Sequence, residues 1–526
     1  MAKILVSDPI DAQCAEIFKG EGFDVVVKTG LSTDDLKKII PEYEALVVRS
    51  STKVTADIIS AATKLKMIGR AGAGVDNIDV AAATRRGIIV MNTPGGNTIS
   101  TAEHTISMML SLARNIPQAD QSLKKGEWNR KKYVGVELFE KTLGVLGLGK
   151  VGKEVAIRCA SFGMKILAYD PILSPEAARE IGVELVGLPE LLGRSDFITI
   201  HTPLTNETRN VLNDISFATC KRGVRIVNCA RGGIIDEPAL LRALESGQVG
   251  GAALDVFAEE PPGESKLIHH PNVVVTPHLG ASTEEAQEKV AIQIAHQLCD
   301  ALKGRGVVGG VNADVLNVAM RSDLQPYFLL AEKLGKLAIQ LMDGNPASLY
   351  LRIQGRILAE STKALSAAFL KGFLSGHLDE PLNYLNAPVI AGERGIRLEI
   401  QQDGEHSHYT NLLTAGYETE RERRTFAGTV FGSNSIRIVK VDGFHFETNP
   451  EGHMLFYSNI DRPGIVAAVS SILAAAKINI AGMSLGRYGI GKEALMIMTV
   501  DSEIPPNTLV EIAKINGLIW AKTVFL

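Results

Sequence analysis

The sequence predicts an α/β protein: two doubly wound parallel-sheet lobes, then a mixed α+β stretch and a ferredoxin-like βαββαβ sandwich. Three observations carry this. Short β-branched strands alternate with helical stretches through roughly the first 300 residues, the rhythm of a parallel sheet covered on both faces. Gly147, Gly149 and Gly152 form a GxGxxG turn between a strand and a helix. The C-terminal residues from 452 onward run β-α-β-β-α-β.

Taken in order, "KILVS", "DVVV", "ALVVRS", "KMIGRAG" and "GIIVMN" read as the first strands, with helices in "DAQCAEIF", "TDDLKKII", "TADIISAA" and "NIDVAAATRR". "NTPGGNTIS" breaks the rhythm, and "STAEHTISMMLSLARNI" reads as a long helix opened by Ser100 or Thr101. A second strand series follows in "TLGVLGLG", "KILAYD", "FITIHTP", "VRIVNCARGG", "GGAALDVF" and "NVVVTPH". A helix from Thr283 then carries the chain back to the first lobe. This divides the chain into a first lobe, 1–98 with 283–305, a second lobe, 99–282, a mixed region, 306–445, and the sandwich, 452–526.

Composition excludes several functions. The 526 residues suffice for about three domains on the usual range of roughly 100–200 residues each. A net charge of −4, with both signs interspersed, supports neither nucleic-acid nor membrane-surface binding. Five cysteines without CxxC spacing fit a reducing compartment and exclude a disulfide framework. No run is long enough to span a membrane, and the N-terminal apolar run breaks at Asp8-Pro9, so a cytoplasmic protein is expected. A trimmed organelle precursor would read the same. His406 and His408 share one face of a possible strand, but no third ligand follows at useful spacing, and no metal is expected.

The GxGxxG turn brings backbone close to a pyrophosphate at a helix N-terminus. Asp170 ends the next strand, where an acid bonds the ribose hydroxyls and repels the extra phosphate of NADP; the cofactor expected is NAD. Arg231, Glu260 and His278 lie at or just after strand ends of the second series, where a doubly wound sheet gathers its ligand. An arginine grips a carboxylate, a histidine exchanges one proton, and a carboxylate on the other ring nitrogen favours the charged ring. Together they suit interconversion of a 2-hydroxy acid and a 2-keto acid.

"GRAGAGVDNID", "LGVLGLGKVG", "NCARGGIIDE", "ALDVFAEEPP" and "TPHLGAST" resemble the D-isomer-specific 2-hydroxyacid dehydrogenases over roughly residues 1–305. The resemblance implies a substrate-binding lobe and a NAD-binding Rossmann lobe, with Arg231, Glu260 and His278 as the catalytic set. It implies cofactor contacts at Lys150, Val151, Asp170, Thr202, Cys229, Ala230, Arg231, Asp255, His278, Leu279 and Gly280. Ala73 stands where some relatives carry threonine, so its expected contact is through the backbone. Arg49 and Arg70 match substrate positions, and Arg130 in "NRKK" is expected to reach a neighbouring subunit's cleft, with Lys53 near. The long C-terminal extension implies an intervening domain and an ACT regulatory domain. Asn459, Asp461 and Asn479 match effector positions, although some relatives have His and Asn in place of Asn459 and Asp461. By their chemistry alone these residues read equally as caps of the helix after Pro463.

The activity so implied is NAD-dependent oxidation of 3-phospho-D-glycerate to 3-phosphohydroxypyruvate, the first step of L-serine biosynthesis, with L-serine as effector and a homotetrameric assembly. The alternatives are a dehydrogenase for another D-2-hydroxy acid, such as glycerate or glycolate, and a dinucleotide-sensing corepressor on the same fold.

Overall fold

β-Branched runs build the first sheet of the computed structural model, which describes residues 2–526 apart from 320, 377, 379, 380 and 404–407. Its strands are β1 (Lys3–Val6), β2 (Asp24–Val27), β3 (Ala45–Val48), β4 (Met67–Arg70) and β5 (Ile89–Met91), all parallel in the order β2-β1-β3-β4-β5. Helix α1 (Ala12–Gly20), capped by the Asp11 carboxylate, buries Cys14 and Phe18 against one face. The strand order reverses between β1 and β3, so the loops after these strands open a crevice at that point.

The second sheet contains β6 (Thr142–Leu146), β7 (Lys165–Tyr169), β8 (Glu184–Leu185), β9 (Phe197–Ile200), β10 (Val224–Asn228), β11 (Val249–Leu254) and β12 (Val273–Val275). They are parallel in the order β12-β11-β10-β9-β6-β7-β8. The two-residue edge strand β8 was not expected from the sequence, because two residues are too few to show an alternation. Helix α2 (Thr98–Arg114) starts at Thr98 after Asn97, ahead of the expected Ser100 or Thr101. Asn97 is a residue type that favours the N-cap, but its side chain makes no cap bond there and instead its Nδ2 donates to Thr101 Oγ1. The α2 residues Ala102, Ile106, Met109 and Leu112 pack on this sheet. Helix α3 (Lys150–Ser161) follows the glycine turn. Helix α4 (Glu284–Leu302), capped by Thr283, then returns to the first sheet, where Val290, Ile294 and Leu298 share a core with Ile4, Val6, Phe18 and Val47.

The mixed region forms a six-stranded sheet of β13 (Ser348–Gln354), β14 (Leu398–Asp403), β15 (Leu412–Glu418), β16 (Arg423–Phe431), β17 (Ser435–Val441) and β18 (Phe444–Thr448). The order is β14-β13-β15-β16-β17-β18, with only β13 and β14 parallel. Helices α5 (Gln325–Leu341) and α6 (Thr362–Leu374) supply much of its core. His406 lies outside the described residues, and His408 lies in a bend rather than on a strand.

The sandwich is β19 (His453–Ile460), α7 (Ile465–Ala475), β20 (Ile480–Arg487), β21 (Glu493–Val500), α8 (Pro506–Ala513) and β22 (Leu518–Phe525), with sheet order β20-β21-β19-β22. The edge strand β20 is flanked by β18: Ser484 Oγ donates to the Glu447 carbonyl at 2.8 Å. On the other side Gln340 of α5 exchanges hydrogen bonds with the backbone of Phe525.

Candidate active site

A cleft of about 960 Å³ lies between the two parallel-sheet lobes, lined by Arg49, Arg70 and residues 72–76 of the first and by His201, Thr202, Cys229–Arg231, Glu260 and His278 of the second. Every one of these side chains stands at or just beyond the C-terminal end of a parallel strand, and that is why the topology gathers them.

The dinucleotide side begins where β6 ends. A Cβ on Gly152 would sit 2.1 Å from the Gly147 carbonyl oxygen, so only glycine lets α3 pack this close to the turn. Gly149 is different: nothing lies within 4 Å of a Cβ placed there. Gly149 is also the N-cap of α3 and offers no side-chain cap, so the first N–H groups of the helix face an open cradle suited to phosphate. The Thr202 hydroxyl, buried in the cleft wall, has no hydrogen-bond partner among the described residues, which suits a polar ligand. The residues present therefore fit a dinucleotide.

Asp170 ends β7 as expected, yet its carboxylate is already engaged with its own turn. Oδ2 accepts from Leu148 N at 2.9 Å, and Oδ1 accepts from the amides of Ile172 and Leu173. An ionised carboxylate has about four lone-pair directions, so room for a ribose hydroxyl remains. Ala73, Val151, Ala230 and Gly280 also line the cleft, while Lys150 Nζ donates to the Pro94 carbonyl. Leu279 is exposed beside it.

His278 follows the end of β12 and meets Glu260 from the loop after β11. His278 adopts a left-handed backbone with φ 56°, unusual for a residue other than glycine. Its Nδ1 pairs with Glu260 Oε2 at 2.8 Å, leaving Nε2 for chemistry. Glu260 Oε1 accepts from Phe257 N at 3.1 Å. Burial acts to raise the Glu260 carboxyl, but the hydrogen bond and charge of His278, with that amide, outweigh it and hold the group below its ordinary value. A carboxylate kept ionised in this way favours the imidazolium.

Three guanidinium groups converge on the other side. Arg231 Nε pairs with Asp76 Oδ2 at 2.9 Å across the cleft, and its Nη1 donates to the Ala230 carbonyl. It lies flat over Gly74, where a Cβ would be 1.9 Å from Nη2. Burial first, then the charge of Arg231, pulls Arg70 down to about 10. Arg49 is lowered by burial. The loop carrying Arg49 is held by the buried Asp8, whose Oδ2 accepts from the amides of Arg49, Ser51 and Thr52 at 2.6, 3.2 and 3.1 Å. Asn77 joins the two arginines: its Oδ1 accepts from Arg70 Nε and its Nδ2 donates to the Arg49 carbonyl. Such a cluster suits a ligand with several negative charges.

Some expected residues lie elsewhere. Arg130 is exposed in the single turn Arg130–Tyr133 and, like the exposed Lys53, does not line the cleft. Asp255 is fully buried behind the cleft wall. Its carboxylate accepts from the amides of Leu279 and Gly280, from the Thr276 hydroxyl, and pairs with His104 Nε2 at 3.2 Å. His104, Cys229 and Asp255 form a cluster of metal-ligand types. Four donors already point at the Asp255 oxygens, so the carboxylate has no lone pair left to offer a cation. Burial, then the Asp255 charge, pushes the Cys229 thiol up to about 12. Asp8, Asp76, Asn77 and His104 escaped the sequence reading. Asp76 and Asn77 fall inside the quoted "GRAGAGVDNID", but no spacing rule connects them to Arg231 or Arg70.

In the sandwich, Asn459 and Asp461 lie at the end of β19, where Asn459 pairs with Ala494 and Arg487 Nη1 donates to Asp461 Oδ2 at 3.1 Å. Asn479 precedes Ile480, which pairs with Val500, and Val500 lies opposite His453. Asn479 is thus at the other end of the sheet, where its Nδ2 donates to Asp501.

Family profiles match the chain in three places: D-isomer specific 2-hydroxyacid dehydrogenase, NAD binding domain, over residues 106–280; D-3-phosphoglycerate dehydrogenase intervening domain over 323–442; and ACT domain over 453–517. A D-3-phosphoglycerate dehydrogenase of Synechocystis is 47% identical, spanning 100% of this chain and 95% of the relative. Those of Archaeoglobus fulgidus and Bacillus subtilis are 45% and 41% identical over 100% of both chains. Among solved structures, D-lactate dehydrogenase from Aquifex aeolicus complexed with NAD and lactic acid superposes with a TM-score of 0.52 at 28% identity, over 58% of this chain and 96% of the other. A glyoxylate reductase from Paecilomyes thermophila gives 0.54 at 32%, over 59% and 98%.

Proposed function

The chain belongs to the D-3-phosphoglycerate dehydrogenase family, and from that premise we propose how its cleft carries out NAD-dependent oxidation of 3-phospho-D-glycerate to 3-phosphohydroxypyruvate, the first step of L-serine biosynthesis. The observation that carries the reading is the His278–Glu260 pair facing three arginines across one dinucleotide-ready cleft. Arg231 holds the substrate carboxylate, and Arg49 and Arg70 hold the phosphate. The C2 hydroxyl proton passes to Nε2 of His278, and Glu260 stabilises the imidazolium as it forms. The glycine turn would hold the pyrophosphate of NAD and Asp170 its ribose, and the bound cofactor would supply the acceptor for the hydride that leaves C2. In reduction the imidazolium returns the proton.

We further assign residues 1–98 with 283–305 to substrate binding, 99–282 to NAD, 306–445 to the intervening domain and 452–526 to regulation. L-Serine is the effector, held by Asn459 and Asp461 of one copy and Asn479 of another, since one sheet keeps them at opposite ends. A homotetramer suits the exposed Trp128, Val134 and Phe139 around Arg130, apolar surface that a second copy would cover and that would carry Arg130 toward its neighbour's cleft. Among the described residues no helix is long and apolar enough to cross a membrane, and the five buried, unpaired cysteines suit the cytoplasm. NADH consumption with 3-phosphohydroxypyruvate, with and without L-serine, tests the reading. Turnover of hydroxypyruvate or glyoxylate that survives loss of Arg49 and Arg70, without turnover of the phosphorylated acid in the unaltered protein, would replace it with another D-2-hydroxy acid.

A further inference from the structure

The turn that carries His278 is gripped from behind by one face of α2. Ser100 Oγ and Thr101 Oγ1 both donate to the Gly280 carbonyl, at 2.9 and 3.1 Å. One turn further along, His104 Nε2 meets Thr276 Oγ1 at 3.1 Å and the Asp255 carboxylate at 3.2 Å. Asp255 in turn accepts from Leu279 N at 2.7 Å and Gly280 N at 2.9 Å, and its own carbonyl accepts from His278 N at 2.9 Å. His278 is thus bracketed on both sides by contacts to a single buried aspartate, and it holds a backbone conformation that an L-residue seldom adopts unaided.

Resting on the dehydrogenase reading above, we propose that His104 is a positioning residue for the proton transfer, fixing through Asp255 the turn that aims His278 at the substrate. Asp255 is wholly buried, and a buried carboxylate keeps its place only while donors compensate its charge. A carboxylate only accepts, so the His104 nitrogen facing it carries the hydrogen. Without that hydrogen, the carboxylate is under-compensated and the amides of Leu279 and Gly280 lose a firmly held acceptor. The Nδ1–Glu260 contact of His278 then loosens. His104 lies outside the cleft lining and meets the site only through Asp255 and Thr276.

The test compares H104L, which fills the space without a donor, with H104Q, whose amide can place an N–H near the original one. Steady-state reduction of 3-phosphohydroxypyruvate should show kcat lower by about 10–100-fold in H104L, the usual cost of losing a group that orients a reacting residue, with KM unchanged. NADH affinity, read by fluorescence titration, should also be unchanged, and H104Q should recover most of kcat. A crystal structure of H104L should show residue 278 out of its left-handed conformation and its ring away from Glu260. The proposal is overturned if H104L keeps full kcat, if H104Q is as impaired as H104L, or if the turn is unaltered in the crystal. Should H104L fail to fold, T276V, which removes the hydroxyl shared by His104 and Asp255, carries the same expectations and the same grounds for rejection. Absence of turnover in the unaltered protein would strike the substrate assignment alone. The kinetics would then be read with hydroxypyruvate and the turn geometry from the crystal.

Discussion

The interlobe cleft and the C-terminal sandwich handle the same task in opposite ways. Both are proposed to bring together polar side chains that are far apart in sequence. In the cleft, Asp8, Arg49, Arg70, Asp170, Arg231 and His278 come from six different strands, yet all converge, because parallel strands present their C-terminal ends on one edge. In the sandwich the strands are antiparallel, so successive ends fall on alternate edges, and Asn479 is parted from Asn459 and Asp461 by the length of the sheet. A parallel sheet completes a site within one chain. On the proposal above, the antiparallel sandwich leaves Asn459 and Asn479 to meet across a second copy.

The sharpest way to break this contrast is at the cleft. His278→Ala should lower kcat by about 10²–10⁴-fold, the worth of a positioned acid–base group, and leave NADH binding intact. Steady-state kinetics beside NADH fluorescence titration read both; a variant with normal kcat would mean that convergence at the strand ends does not mark the reacting residue. The sandwich side is sharpened by mixing chains. N459A and N479A should each abolish serine inhibition alone, and co-expressed together they should regain part of it, because some interfaces then pair two native residues. Serine titration that shows no recovery in the mixed oligomer would place the whole site within one chain.

Smaller effects refine the cleft itself. Glu260→Gln removes the charge that favours imidazolium, so the alkaline limb of the reduction profile should move down by roughly one pH unit. The sign also follows from Glu260, whose folded value lies below its ordinary one. The stability it contributes is fully present above the ordinary glutamate range and is lost as pH falls through the lower, folded value. A pH–rate profile identical to that of the unaltered protein would remove Glu260 from the pair. Asp170→Ala should narrow the preference for NAD over NADP by about tenfold, the scale of one lost charged hydrogen bond. Equal use of both cofactors before substitution would show that this acid does not discriminate.

What the sequence revealed follows the same division. Strands such as "ALVVRS" and "FITIHTP" announce themselves by β-branched runs, and the residue after each is a candidate by position alone. That logic reaches Arg49, Asp170, Arg231 and His278. It stops at Asp76 and His104, whose partners lie 155 and 151 residues away along the chain, at Arg231 and Asp255, through contacts that only the folded chain defines. Asp8 was visible only as a break in an apolar run, although it organises the Arg49 loop. In the mixed region the helices α5 and α6 and the outer strand β14 carry no motif, and the exposed side chains of β14 give no alternation to read.

The path of α4 has a consequence for how the protein is made. Its Val290, Ile294 and Leu298 belong to the core of a sheet whose last strand ends at Met91. On a ribosome adding roughly 5–20 residues per second, about 200 residues separate that strand from α4, a delay of about 10–40 s. Throughout that interval the first sheet lacks the α4 residues that complete its core, while the inserted dinucleotide lobe is being made and has its last strand, β12, by Val275, before α4 begins. Synthesis order thus makes the inserted lobe the earlier one to settle and the N-terminal sheet the segment most in need of a chaperone's cover.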